Sequence, residues 1–228
     1  MKLKLIGFET DYEVQRDCTT VLTIKDKHLY VKTIFMLNEI VSNKYDTNEI
    51  LLFDNDKEIS IDKNVIFIPD TFSFNLNEKQ IINKLQAKII EDTCVNSAIE
   101  LNVSEIMDTV NSAILKIINY YDIGIDFDSL ELPTLIKCCK LGIEEDYDEL
   151  ISKLFYIVDV MSELFQNHLL IFTNLSDLLT EDEITKLVSY SNYKKIYILL
   201  IDHEEMNYEG IVNYVIDSDF SENILFDK

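Results

Sequence analysis

The chain has 228 residues, a 47% hydrophobic content and a formal net charge of -22, with 20 basic residues against 42 acidic ones. That is enough apolar matter to bury a real core in one domain or a small pair. The charge excludes unassisted attraction to nucleic acid, because phosphates are repelled by the average surface. No apolar run approaches the roughly 18 residues of a membrane span, and the opening Met-Lys-Leu-Lys-Leu-Ile-Gly-Phe-Glu lacks the form of a secretory signal, so no membrane association and a cytoplasmic location are expected. The four cysteines include no C-x-x-C pair, which fits reduced thiols rather than a zinc site.

In chain order, strands are expected at Lys2 to Phe8, Val21 to Ile24, Ile50 to Phe53, Glu58 to Ile61 and Val65 to Ile68, the last stopped by Pro69-Asp70. Between them Tyr30 to Val41 predicts a helix with Ile34, Leu37 and Val41 on one face. From about Glu78 the texture becomes helical. Val103, Ile106, Met107, Val110, Ile114, Ile117, Ile118 and Tyr121 recur at three- and four-residue spacing, as do Leu150, Ile151, Leu154, Ile157, Val158, Met161, Leu164 and Phe165. A broken segment with Gly124, Pro133 and a shorter helix through Leu135, Ile136 and Cys139 separates them. After Gln166 strands return around Leu170 and Ile198, and the helix between them starts with a capping box of Thr180 and Glu183.

These elements predict an α/β fold with a discontinuous head, residues 1–75 and 167–228, and an inserted α-helical leg, residues 76–166. The stretch from His168 to Met206 is written like the back half of a P-loop ATPase sheet, one apolar strand ending where a metal-binding acid belongs and the next at a switch residue. Here Asn174 takes the place of the acid. No Gly-x-x-x-x-Gly-Lys-Ser/Thr loop occurs in a chain with four glycines, so the expected head sheet has no nucleotide site. His203, after Asp202, has nothing to sense and is expected to bond locally.

Two charge patterns remain. Carboxylates crowd Tyr121 to Leu150, among them Asp122, Asp126, Asp128, Glu144 and Asp146. Alternate carboxylates in a turn can point oxygens at one hard cation, with Glu144 or Asp146 closing the cage, and calcium tolerates such irregular sites. The plainer alternative is a solvated acidic loop. Lys84 and Lys88 share a helical face, with Lys79 near it, and Lys137 and Lys140 form a second pair. Singly these are solvated faces, but repetition around an opening would make a phosphate track. Arg16 is the only arginine, so contacts to DNA would be made by lysine and blind to base sequence.

The run Leu169-Leu170-Ile171-Phe172-Thr173-Asn174, then Leu178-Leu179-Thr180-Glu181-Asp182-Glu183, the apolar strand to Leu200, and Tyr214-Val215-Ile216-Asp217-Ser218-Asp219-Phe220 resembles the accessory spacer-acquisition protein of type II-A CRISPR systems, the Csn family, in its shorter branch. The similarity extends back through Leu135-Ile136-Lys137, Asp126-Phe127-Asp128 and Ile66-Phe67-Ile68-Pro69-Asp70. The resemblance implies a non-catalytic homotetrameric ring that binds double-stranded DNA ends without sequence preference through a lysine-lined hole. It also implies calcium near the junction of head and leg, and partnership with the CRISPR integrase subunits and the effector nuclease. Asp126, Asp128 and Glu144 match the family's acidic region and Lys84 falls near a basic position; Lys79, Lys88, Lys137 and Lys140 extend that track. Two other functions compatible with the residues are a degenerate ATPase-like enzyme near Asn174 and His203, and a calcium-responsive protein-interaction module.

Overall fold

The computed structural model describes residues 1–42, 48–206 and 208–226. The chain forms two compact units, one of Met1–Phe74 with Asp146–Lys228 and one of Asn75–Glu145. The first is mixed α/β. Its amino-terminal part runs β1 (Lys2–Leu5), β2 (Asp11–Glu13), β3 (Thr19–Ile24), α1 (Lys27–Val41), β4 (Ile50–Asp54), β5 (Lys57–Ile59), the one-turn α2 (Ile61–Asn64) and β6 (Val65–Ile68). The second unit holds α3 (Lys79–Val95), α4 (Ser97–Ile118) and α5 (Leu132–Cys138). The chain then returns to the first unit with α6 (Leu150–Leu164), β7 (Leu169–Thr173), α7 (Glu181–Lys194), β8 (Tyr197–Asp202), β9 (Ile211–Ile216) and β10 (Glu222–Phe226).

Strands from both ends of the chain share a six-stranded sheet of order β10-β9-β3-β8-β7-β6. All its neighbours are parallel except β9 and β10. A parallel sheet is covered on both faces, and its central strands are accordingly continuous apolar or Thr runs. Every residue of β3, β6 and β7 is buried. One face, carrying Leu22, Ile24, Phe67, Leu169, Ile171, Leu199 and Ile201, joins a core with Leu37 of α1 and with Leu3, Ile50 and Leu52 of a separate antiparallel sheet, β2-β1-β4-β5. The alternate residues Ile66, Leu170, Ile198 and Leu200 are buried too.

The expected strands and helices are present, with ends shifted by a few residues. The strand from Lys2 stops at Leu5 because Gly7, at φ +103°, turns the chain. Three strands carry too little pattern to be predicted: three-residue β2, and β9 and β10. The boundary of the helical insertion also differs. The expected 76–166 leg includes α6, yet α6 lies within the sheet-bearing unit, which resumes at Asp146. Its stripe Ile151, Leu154, Ile157, Val158, Met161 and Leu164 is buried. Asp159 fixes it to α7 by accepting from the Tyr190 hydroxyl at 2.6 Å and pairing with Lys194, while Phe155 packs on Tyr190 at 4.8 Å. Periodicity shows that a helix has an apolar face, not which unit buries it. The sole arginine is structural: Arg16 donates to Asn167 at 2.6 Å and lies 4.7 Å over the Tyr197 ring.

Helix α7 begins with the expected capping box, in which Thr180 accepts from the Glu183 amide and the Glu183 carboxylate accepts from the Thr180 amide. It ends at Lys195 in the left-handed region, φ +55°, where a side chain is strained and glycine is not. Thr180→Ala is expected to cost about 1 kcal/mol, and Lys195→Gly to stabilise by about 0.5–1 kcal/mol. Urea unfolding of the two variants, with unchanged denaturant slopes, should show midpoints moving in opposite directions.

Candidate functional site

Ligands of open parallel sheets sit beyond the carboxyl ends of the strands, so that edge of the sheet unit is the first place to look. At the end of β3 the chain passes to α1 through only Lys25 and Asp26. Two residues leave no loop to cradle a phosphate. The first amides of α1 are also engaged internally, for the Asp26 carboxylate caps the helix by accepting from the Leu29 amide at 2.8 Å. Lys25 pairs with Glu205 at 2.6 Å and Asp217 at 2.8 Å. Its ammonium is held well above the ordinary lysine range by hydrogen bonds to Asp217 and then Glu205.

Asn174 follows β7 at φ +62°, a conformation Asn tolerates better than most residues. Its amide donates to the Ile201 carbonyl at 3.1 Å and its side-chain oxygen accepts from the Tyr30 hydroxyl at 3.2 Å. Burial, then the charges of Asp202 and Asp177, push the Tyr30 phenol well up, so it is a neutral donor. His203 bonds locally as expected: its Nδ1 lies 3.4 Å from Asp202 and its ring stands edge-on to Tyr30, centroids 6.0 Å apart.

Asp202 is the residue that sequence reasoning passed over. Its side chain has no exposed surface. It accepts from the Ser176 amide at 3.0 Å, the Ser176 hydroxyl at 2.5 Å, the His203 amide at 2.8 Å and the Glu204 amide at 3.3 Å. An acidic residue closing an apolar strand is the only signal available in the sequence. The donors come from the β7–α7 loop and the turn after β8, and only the fold brings those together.

In the helical unit, Lys79 and Lys84 of α3 are exposed and make no ion pair among the described residues. Lys88 is different. It is half-buried and paired with Asp92 at 3.1 Å, with Glu91 at 3.8 Å, so its charge is already matched. Lys137 and Lys140 are exposed at the end of α5, Lys140 at φ +50°.

The carboxylates Asp122, Asp126, Asp128, Glu144 and Asp146 are all exposed and lie outside regular structure. Among the described residues no three His, Cys, Asp or Glu come together as a metal site. Along the sequence, α5 lies between Asp122, Asp126 and Asp128 on one side and Glu144 and Asp146 on the other. Glu145, beside them, accepts from the Leu76 amide at 3.0 Å and the Asn77 side chain at 3.1 Å.

Helix α4 presents the largest unmet demand. It is 22 residues long and buries none of them. Val103, Met107, Asn111, Ile114 and Ile118 form a half-buried stripe, with Asn111 bonded in both directions to the Leu130 backbone. A second stripe, Ile99, Val103, Ile106, Val110, Ala113 and Ile117, follows the alternating four-three spacing of a coiled-coil seam. Ile106 is 58% and Ile117 57% exposed.

Comparison with known proteins decides the family. Residues 44–220 match the model of the CRISPR-associated protein (Cas_Csn2) family, well over half of the chain. The chain belongs to the Csn2 family. It is similar to a CRISPR-associated protein Csn2 of Streptococcus agalactiae, 25% identical over 88% of each chain. Another relative of that name, from Enterococcus faecalis, is 24% identical over 96% of this chain and 97% of its own. The crystal structure of Stu0660 of Streptococcus thermophilus shares the fold, with a TM-score of 0.61 at 12% identity over 100% of this chain and 77% of that one. The sequence-level resemblance to the family is thereby confirmed, and the protein is CRISPR-associated. No helix among the described residues is long and apolar enough to cross a membrane.

The carboxyl edge of the sheet is thus filled by the chain's own bonds. Introducing an acid by Asn174→Asp is expected to give no phosphate release from magnesium ATP above background, since the two-residue β3–α1 connection offers no phosphate cradle. It should also lower stability by about 1 kcal/mol, as a third carboxylate joins Asp177 and Asp202 around Tyr30. A phosphate-release assay and a urea titration check the two parts.

Proposed function

We propose that this Csn2-family protein is a non-catalytic homotetrameric ring that binds double-stranded DNA ends without sequence preference during CRISPR spacer acquisition. The observation that carries this reading is the uncovered seam of α4. Six apolar positions at coiled-coil spacing on a helix with no buried residue call for a partner surface. A symmetric assembly of identical chains supplies one, because each copy brings the same stripe.

Assembly also answers the charge problem. One chain at -22 repels DNA, but a ring repeats Lys79 and Lys84 of α3 around a common opening, and both are free to meet phosphate. Lys137 and Lys140 are the next candidates. Lys88 contributes less because Asp92 already holds it. With lysine rather than arginine at every position, the contacts are to the backbone and carry no base information. Calcium belongs to this reading as a structural ion. Since no three His, Cys, Asp or Glu gather as a metal site among the described residues, Asp126 and Asp128 would share it with water or with acids of a neighbouring copy. The expected partners are the CRISPR integrase subunits and the effector nuclease, and the expected place of action is the cytoplasm.

Two measurements test the reading. Gel shifts with linear and closed circular DNA of one sequence, in calcium or chelator, should show retention of the linear form only, lost with chelator and weakened by Lys84→Glu. Raising salt should reduce log affinity with a slope of about -0.9 per phosphate neutralised; salt-independent binding or equal retention of the circle would rule out a threaded ring. Ile106→Asp should reduce the assembly to smaller species in analytical ultracentrifugation and abolish DNA binding with it. An unchanged assembly would show that α4 is not the seam.

A further inference from the structure

The carboxyl edge of the sheet holds a feature that the DNA-binding reading does not use. After β8 the main chain of residues 204–206 is held by side chains of β3 and β9. The Thr23 hydroxyl lies 3.3 Å from the Glu204 carbonyl and donates to the Asn213 side-chain oxygen at 2.9 Å, and the Asn213 side-chain nitrogen donates to the Met206 carbonyl at 3.3 Å. Met206 is buried. Lys25, at the end of β3, adds an ion pair to Glu205. At the head of this segment Asp202 places a wholly buried carboxylate among four donors: the Ser176 amide and hydroxyl and the amides of His203 and Glu204.

Converging backbone amides with a hydroxyl are the chemistry of an anion seat. We propose that this is an anion-binding nest closed by the protein's own chain. Asp202 is its internal ligand and the 203–206 segment is the strap that covers it. The seat takes a small carboxylate, and the native protein supplies that carboxylate from within. The nest joins the β7–α7 loop, through Ser176, to the strap, so the carboxylate pins two connections at once. A buried carboxyl group of this kind is tolerable because these donors meet it; without it, three amides and a hydroxyl lose their shared acceptor.

The test uses the full chain and formate, the fragment that Asp202→Ala removes. Asp202→Ala should lower the thermal unfolding midpoint on the order of 10 °C. Formate should restore several degrees, saturably and beyond chloride at equal ionic strength, while the unsubstituted protein responds to the two salts alike. Asp202→Asn keeps the shape without the charge. It should unfold below the unsubstituted protein and gain nothing from formate. Formate and chloride acting equally on Asp202→Ala would overturn the proposal. So would an Asn variant as stable as the unsubstituted protein, and that comparison decides the matter if the Ala variant fails to fold.

Discussion

A parallel sheet has to be buried on both faces, and this constraint organises the rest of the molecule. β3 lies between β8 and β9, residues that are almost two hundred positions away in places. The sheet therefore cannot close until both ends of the chain are present. One face is met by α1 and the small antiparallel sheet, and the alternate face is buried as well. What the sheet unit gathers to itself, including α6, the intervening segment lacks. Unit by unit, the distribution of buried apolar residues is lopsided: α6 buries six and α4 none. The exposed stripe of α4 follows from that division, since 71 residues between Asn75 and Glu145 form only a small core around positions such as Leu76 and Ile81.

The same constraint explains the carboxyl edge. Strand ends in such a sheet expose polar backbone, which must find partners. The β3–α1 connection is two residues long and Asp26 caps the helix, so its first turn is engaged within the chain. The amides of Ser176 after β7 and of His203 and Glu204 after β8 are satisfied by Asp202. Asn174, bonded to Tyr30 and the Ile201 carbonyl, and Asp202, bonded to Ser176 and the turn after β8, both satisfy polar groups of this edge from within the chain.

How much of this was legible in the sequence depends on whether the signal was local. β6, β7 and β8 could be read because unbroken apolar runs of strand length admit few other uses, and the start of α7 because its capping box lies within four residues. β9 escaped because buried Asn213 interrupts its apolar run, and its partner Thr23 is 190 positions away. The helical character of α6 was local, but its allegiance to the sheet unit depended on Tyr190 and Lys194 of α7. Among the site residues, the neutralisation of Lys88 by Asp92 was readable from their four-residue spacing. The nest around Asp202 was not, because the Ser176 donors lie 26 positions away.

Charge places a further condition on how such a protein can act. Of the 20 basic side chains set against 42 acidic ones, the single arginine is already seated on Tyr197, so any contact to phosphate falls to lysines. Lysines that are to meet phosphate must be both unpaired and brought near their equivalents; Lys79 and Lys84 of α3 are exposed and make no ion pair among the described residues, and the proposed ring would supply the second condition. An apolar seam on α4 can bring equivalents together independently of charge, since burial of its isoleucines is insensitive to salt whereas a lysine-phosphate contact is not. Assembly and binding would then respond differently to ionic strength: a ring held by α4 persists at salt concentrations that release its DNA. In the proposed ring that separation would let the assembly leave DNA without dissolving, which an assembly held mainly by surface ion pairs could not do.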